Sequence, residues 1–156
     1  MPSRLESEIK QSRPFSRRSE EALVSIMRTA AYMDHGLQDA LREFGITPTQ
    51  YNVLRILRGA GREGLCGREI GERLISKVPD VSRLLDRMEE MGLMTRERDL
   101  EDRRHVTARA TPKGLRILVE AEPALEALER QYLGTVSAGS LKVLIETLDT
   151  IRTPRP

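Results

Sequence analysis

The sequence predicts a mainly helical fold carrying one small β hairpin. Three observations lead there. Apolar residues recur at spacings of three, four and seven along most of the chain, the signature of helices with one buried face. Aromatic residues make up only 3% of the 156 residues, with no Trp and 32% charged residues, a balance that favours Leu-rich helices over a β-sandwich. A single stretch, residues 94–111, instead alternates with a two-residue period around a polar turn. The length suits one domain with a real core, or a small domain with helical extensions.

Residues 1–18 are polar and include Pro2, Pro14 and four arginines, so a flexible or strand-exchanged arm is expected. Ser19 is placed to cap a helix, with Glu20 and Glu21 where the helix dipole favours negative charge. Leu23, Met27, Ala30, Leu37, Leu41 and Phe44 extend it for about seven turns to Gly45. So long a helix exceeds the needs of one small core and points to contact with another helix or subunit. Thr47, Pro48, Thr49 and Gln50 form a strong start: a cap, a proline at the first helical position and a glutamine reaching back. Tyr51, Leu54 and Leu57 make the buried stripe of this second helix.

Residues 59–67, GAGREGLCG, predict a loop or short edge strand. Residues 68–75 predict a short helix with Ile70 and Leu74 inward. After a link of about four residues comes a helix over residues 79–91, buried on Val81, Leu84, Leu85, Met88 and Met91 and exposed on Ser82, Arg83, Asp86 and Arg87. Two short helices joined in this way make a helix-turn-helix pattern. Gly92 suits the left-handed cap that ends the second of them. Residues 94–98 and 105–111 then pair as a hairpin around residues 99–104. A helix followed by a ribbon offers one element for a major groove and one for a minor groove.

Thr111, Pro112, Lys113 and Gly114 repeat the cap-then-proline start. Leu115, Leu118, Ala121, Leu125, Leu128 and Tyr132 follow at helical spacing, although Pro123 should kink or split the helix. Gly134 and Gly139 bracket a break before a last helix on Leu141, Leu144, Ile145, Leu148 and Ile151. The apolar stripes at the two chain ends need a cover, and a symmetric partner is the simplest one.

Charge and chemistry narrow the function. Residues 48–116 carry 15 Lys and Arg against 11 Asp and Glu, a local excess of +4 in a chain whose formal net charge is +2. Positive charge is thus concentrated where the groove-reading elements lie. There is no nucleophile with a neighbouring base, no phosphate loop and no metal-ligand cluster, which argues against an enzyme and against a cofactor or metal. One cysteine, Cys66, excludes an internal disulfide framework. No apolar run approaches the ~18 residues of a membrane span, and the N-terminus lacks a signal-peptide core, so a cytoplasmic location is expected.

The ordered string of long helix, capped helix, helix-turn-helix, GLMTRERDLEDRRHVTARATPKG and two further helices resembles the MarR family of bacterial winged-helix transcription regulators. The resemblance covers residues 19–151 and is most specific over residues 81–114, where the wing signature Asp-x-Arg stands as Asp102, Arg103, Arg104. It departs from the family pattern at Ala110, where a larger aliphatic residue is usual. It implies a winged helix-turn-helix domain at residues 47–116, flanked by dimerisation helices at 19–46 and 117–156. It further implies a homodimer that binds double-stranded DNA at a near-palindromic operator, usually as a repressor, and that a small aromatic or phenolic effector releases.

On that basis Ser82, Arg83, Asp86 and Arg87 are the candidate recognition-helix residues. Two arginines one turn apart repel each other by a few tenths of a kcal/mol, which contact with DNA would explain; a solvated face is the alternative. The resemblance gives Arg104 the minor groove, Asp102 the role of aiming it and Arg103 a phosphate. Arg96 and Arg98 are expected to support the wing. Tyr32, His35 and Tyr51 either line a ligand crevice between the first two long helices or belong to core and interface. His105 either touches phosphate or is merely exposed, and Cys66 reads as a buried or incidental thiol. A winged helix used for protein interaction, without operator binding, is the alternative function.

Overall fold

The computed structural model describes residues 3–98 and 106–153. The chain divides into two compact units, Met1–Pro48 and Thr49–Pro156.

The first unit begins with α1 (Arg4–Glu8), inside the stretch expected to be a flexible arm. Its cause is a capping box that the sequence displays as Ser3, Arg4, Leu5, Glu6. The Ser3 amide donates to Glu6 Oε2 at 2.6 Å and the Glu6 amide to Ser3 Oγ at 3.3 Å, satisfying two otherwise orphaned helix donors. Glu6 Oε1 also accepts the Phe15 amide at 3.0 Å, which folds the following segment back. The long helix α2 (Arg18–Arg42) is capped by Arg17, two residues before the expected cap Ser19, and the Arg17 side chain makes no cap bond. Glu20 accepts the Ser16 amide at 3.3 Å, just outside the helix. Leu41 and Ile46 are buried, whereas Leu23, Met27 and Tyr32 are each about 60% exposed.

The second unit opens with α3 (Pro48–Ala60), buried through Gln50, Val53, Leu54 and Leu57. Val53 occupies the inner position expected for Tyr51, which is only half-buried. Next come β1 (Leu65–Cys66), the short edge strand, and α4 (Gly67–Arg73). Leu74 already has extended backbone and Ile75 is exposed, so the link to the following helix, α5 (Val81–Glu90), is residues 74–80 and longer than expected. The Ile75 amide is taken by Asn52 Oδ1 at 2.9 Å, which ends α4 early, and Asp80 caps α5, whose first residue Val81 lies two positions after Pro79.

Strands β2 (Met94–Arg98) and β3 (Val106–Ala110) pair antiparallel, Met94 with Ala110, Arg96 with Ala108 and Arg98 with Val106. With β1 added beside β3, the sheet order is β1-β3-β2. Helix α6 (Pro112–Leu133) is continuous through Pro123, so Pro123 does not split it in two. Pro123 lies on the exposed face, where water can serve the Val119 carbonyl that loses its helical donor. Gly114, in the first turn of α6, is buried so closely that an added Cβ would collide with the Leu93 carbonyl and Leu54 Cδ2. This close approach ties α6 to α3 and the hairpin, and places the C-terminal helices in the same unit. Helix α7 (Ala138–Arg152) has no buried residue.

Candidate nucleic-acid interface

Helix α5 is fixed at both ends. At its start the Asp80 carboxylate accepts the Arg83 amide at 2.9 Å, the ordinary N-cap bond. At its end Gly92 adopts φ +70°, the left-handed region that a side chain would strain. The Leu93 amide then donates to the Met88 carbonyl at 3.0 Å and the Gly92 amide to the Glu89 carbonyl at 2.9 Å. This is a Schellman ending, completed by the buried pair Leu93 and Met88. Leu85 and Met88 face inward, while Ser82, Arg83, Asp86 and Arg87 are all exposed on the outer face. Neither arginine side chain has an ion-pair partner among the described residues.

The hairpin is sewn to the end of this helix. Thr111 Oγ1 donates to the Gly92 carbonyl at 2.6 Å, Lys113 Nζ to the Met91 carbonyl at 2.8 Å, and the Thr111 amide to the Leu93 carbonyl at 3.1 Å. The Thr111–Lys113 stretch therefore starts α6 and closes α5 at once. Arg109 binds the other edge: its Nε donates to the Arg62 carbonyl at 2.6 Å and its Nη1 to Glu97 Oε2 at 2.8 Å.

Arg96 sits on β2 between the helix and the sheet. Its amide donates to Glu89 Oε1 at 2.9 Å, and its Nη2 reaches Glu89 Oε2 at 2.8 Å and Asp86 Oδ1 at 2.5 Å. The Arg96 side chain holds the Glu89 carboxyl below the usual carboxylate range. In turn, Glu89 first and Asp86 second raise the guanidinium above its ordinary value. The support expected of Arg96 is thus a direct bond to α5.

An open hollow between α4 and α5 is lined by Arg68, Lys77 and Ser82. Arg68 is paired with Glu72 at 2.9 Å, while Lys77 is exposed in the turn. Sequence reasoning passed over Lys77; the signal was a cation three residues before the α5 cap. Cys66 is half-buried at the start of α4, where its amide donates to Glu69 Oε2 at 2.9 Å and draws that carboxyl below its usual range.

The wing-tip candidates Asp102, Arg103 and Arg104, together with His105, lie outside the described residues. The crevice candidates fall in different units: Tyr32 and His35 on α2, both exposed, and Tyr51 on α3. His35 Nε2 lies 3.7 Å from Asp39. Among the described residues, no helix is long and apolar enough to cross a membrane, and no group of three His, Cys, Asp or Glu side chains could hold a metal ion.

A helix-turn-helix whose second helix carries two arginines without an ion pair among the described residues, with a hairpin sewn to its end, defines a winged helix-turn-helix protein. The model of the MarR family matches residues 46–106. The transcriptional regulator HosA of Escherichia coli O157:H7 is 30% identical over 101 residues, 65% of this chain and 73% of that protein. The uncharacterized HTH-type regulator YkoM of Bacillus subtilis is 34% identical over 90 residues, and the match spans only 56% of its length and 58% of this chain. Among solved structures, a MarR transcription factor from Planctomyces limnophilus is 32% identical, with a TM-score of 0.68 over 87% of this chain and 98% of that one. An E. coli MarR variant solved with operator DNA has the same fold at 22% identity, TM-score 0.74, over 82% of this chain and 91% of that one. The chain belongs to the MarR family of transcription regulators.

Proposed function

We propose that this regulator acts as a cytoplasmic homodimer that binds a near-palindromic operator, in the manner of a repressor. Each subunit lays α5 in the major groove, with Ser82, Arg83 and Arg87 toward bases and phosphates, and its wing in the flanking minor groove. Arg104 enters that groove, where narrowness concentrates negative potential and admits a planar guanidinium; Asp102 aims it and Arg103 meets phosphate. Lys77 and Ser82 at the helix-turn-helix hollow add phosphate contacts that set register without reading sequence. The observation that carries this proposal is the pair of exposed arginines, without an ion pair among the described residues, on a helix capped at both ends. The fold shared with a protein solved on operator DNA supports it.

A small aromatic or phenolic effector that changed the separation of the two α5 helices would release DNA without touching it; a coupling of ~1 to 3 kcal/mol gives a response of about 5- to 150-fold.

The test is footprinting on the DNA beside the protein's own gene. The expected result is a protected segment with two related half-sites about one helical turn apart. Absence of any protected segment, together with partner-protein binding that survives neutralising Arg83, Arg87 and Arg104, would favour a protein-interaction module instead.

A further inference from the structure

The outer face of α5 contains a conflict that its sequence alone does not resolve. Asp86 stands three residues after Arg83, a spacing at which side chains of opposite charge meet on a helix surface. That pairing would cancel one of the two cations on which DNA binding depends. It is also three residues before Glu89, so two carboxylates share one side of the helix. The structure shows a different partner: Asp86 Oδ1 binds Arg96 Nη2 at 2.5 Å, and Arg83 is left without an ion pair among the described residues.

Arg96 is held in place to do this. Strand β2 alternates buried Met94, exposed Thr95, half-buried Arg96 and exposed Glu97, so the arginine occupies an inward position where an apolar side chain would ordinarily sit. Its Nε and Nη2 both bind Glu89 Oε2, at 3.1 and 2.8 Å, and its amide binds the other Glu89 oxygen at 2.9 Å. The remaining reach of Nη2 goes to Asp86.

We propose, building on the DNA-binding function above, that Arg96 is a positioning residue for DNA: anchored by Glu89, it withdraws the Asp86 carboxylate from Arg83 and leaves that guanidinium for the nucleic acid. Asp86, expected from the sequence among the recognition-helix residues, is then bound to Arg96 and kept out of the interface, and it makes no contact with DNA. Its charge matters only when Arg96 is missing.

The experiment uses the full chain and a 30-base-pair duplex, a length of about three helical turns, that the wild type recovers from a random-sequence library. Affinities are measured over a range of salt concentrations after circular dichroism has established that each variant is folded. Arg96→Gln is expected to weaken binding by about tenfold or more, the scale of losing one good DNA contact. Adding Asp86→Asn to it is expected to restore most of that loss, since the freed carboxylate no longer carries charge, and to keep the wild-type salt slope. Asp86→Asn alone is expected to change affinity by less than about twofold. A double variant no better than Arg96→Gln, with a salt slope smaller by about one, would mean that Arg96 itself touches phosphate and would overturn the proposal. So would a large loss from Asp86→Asn alone, the arm that still decides if Arg96→Gln does not fold. A wild type that recovers no duplex would sink the DNA-binding function itself, and this role with it.

Discussion

Glu89 and Gly114 show how much of the interface rests on single residues behind it. Glu89 carries three hydrogen bonds from Arg96, and its folded pKa is depressed. A depressed carboxylate contributes stability that is complete above its unfolded value, about 4.3, and is lost as pH falls through the lower, folded value. Glu89→Gln is therefore expected to cost about 1 kcal/mol at neutral pH, near the upper end for a partly exposed pair. In urea titrations at successively lower pH the gap should close below the usual glutamate range; a gap of constant size would show that the ion pair is not its source. Gly114 acts through space: Gly114→Ala is expected to destabilise by about 1 to 3 kcal/mol, the range for overpacking a filled site, because Cβ has only the Leu93 carbonyl and Leu54 to displace. A melting temperature equal to that of the wild type would contradict this packing. Neither residue was legible as important in the sequence, since both roles depend on partners distant along the chain.

At the scale of elements, helix existence was legible and helix ends less so. Residues 81–90 read clearly because Leu85 and Met88 keep the helical period and Gly92 marks the stop. By contrast, α4 ends early because Asn52, 23 residues away, takes the Ile75 amide, and no local signal announces that. The turn of helix at residues 4–8 has its signal in Ser3 and Glu6, which the polar composition around it hides. Pro123 does not split its helix, because an exposed proline removes one helical bond that solvent can replace. For the candidate interface, Ser82, Arg83 and Arg87 followed from period alone, while the attachment of β2 to α5 through Arg96 did not. The double variant Arg83→Gln/Arg87→Gln is expected to lower the salt slope of DNA binding by about two, one for each phosphate-neutralising charge, while leaving the fold intact. An unchanged slope in titrations of the selected duplex would place both side chains away from DNA.

At the scale of the whole molecule, most of the exposed large apolar residues lie on the terminal helices, Ile75 in the helix-turn-helix link apart. Helix α7 exposes Val143, Leu144, Ile145 and Ile151 and buries nothing, and α2 exposes Leu23, Ile26 and Met27. A 15-residue helix with apolar residues open along its length is marginal by itself in water, so its formation implies a cover. In the homodimer proposed above, a second copy of the chain is that cover and also supplies two α5 helices for two half-sites, because a symmetric pair presents the same patch twice. Truncation after Thr135 removes α7 and should leave a monomer by sedimentation. The intact chain should also melt at a temperature that rises with protein concentration, as mass action requires of a dimer, and the truncated chain should not. Loss of α7 would further cut operator affinity far more than affinity for a single half-site, since the second subunit would no longer be delivered by the first. A truncated chain that still sediments as a tight dimer would place the interface elsewhere, with α2 and its exposed Leu23 and Met27 as the next surface to alter.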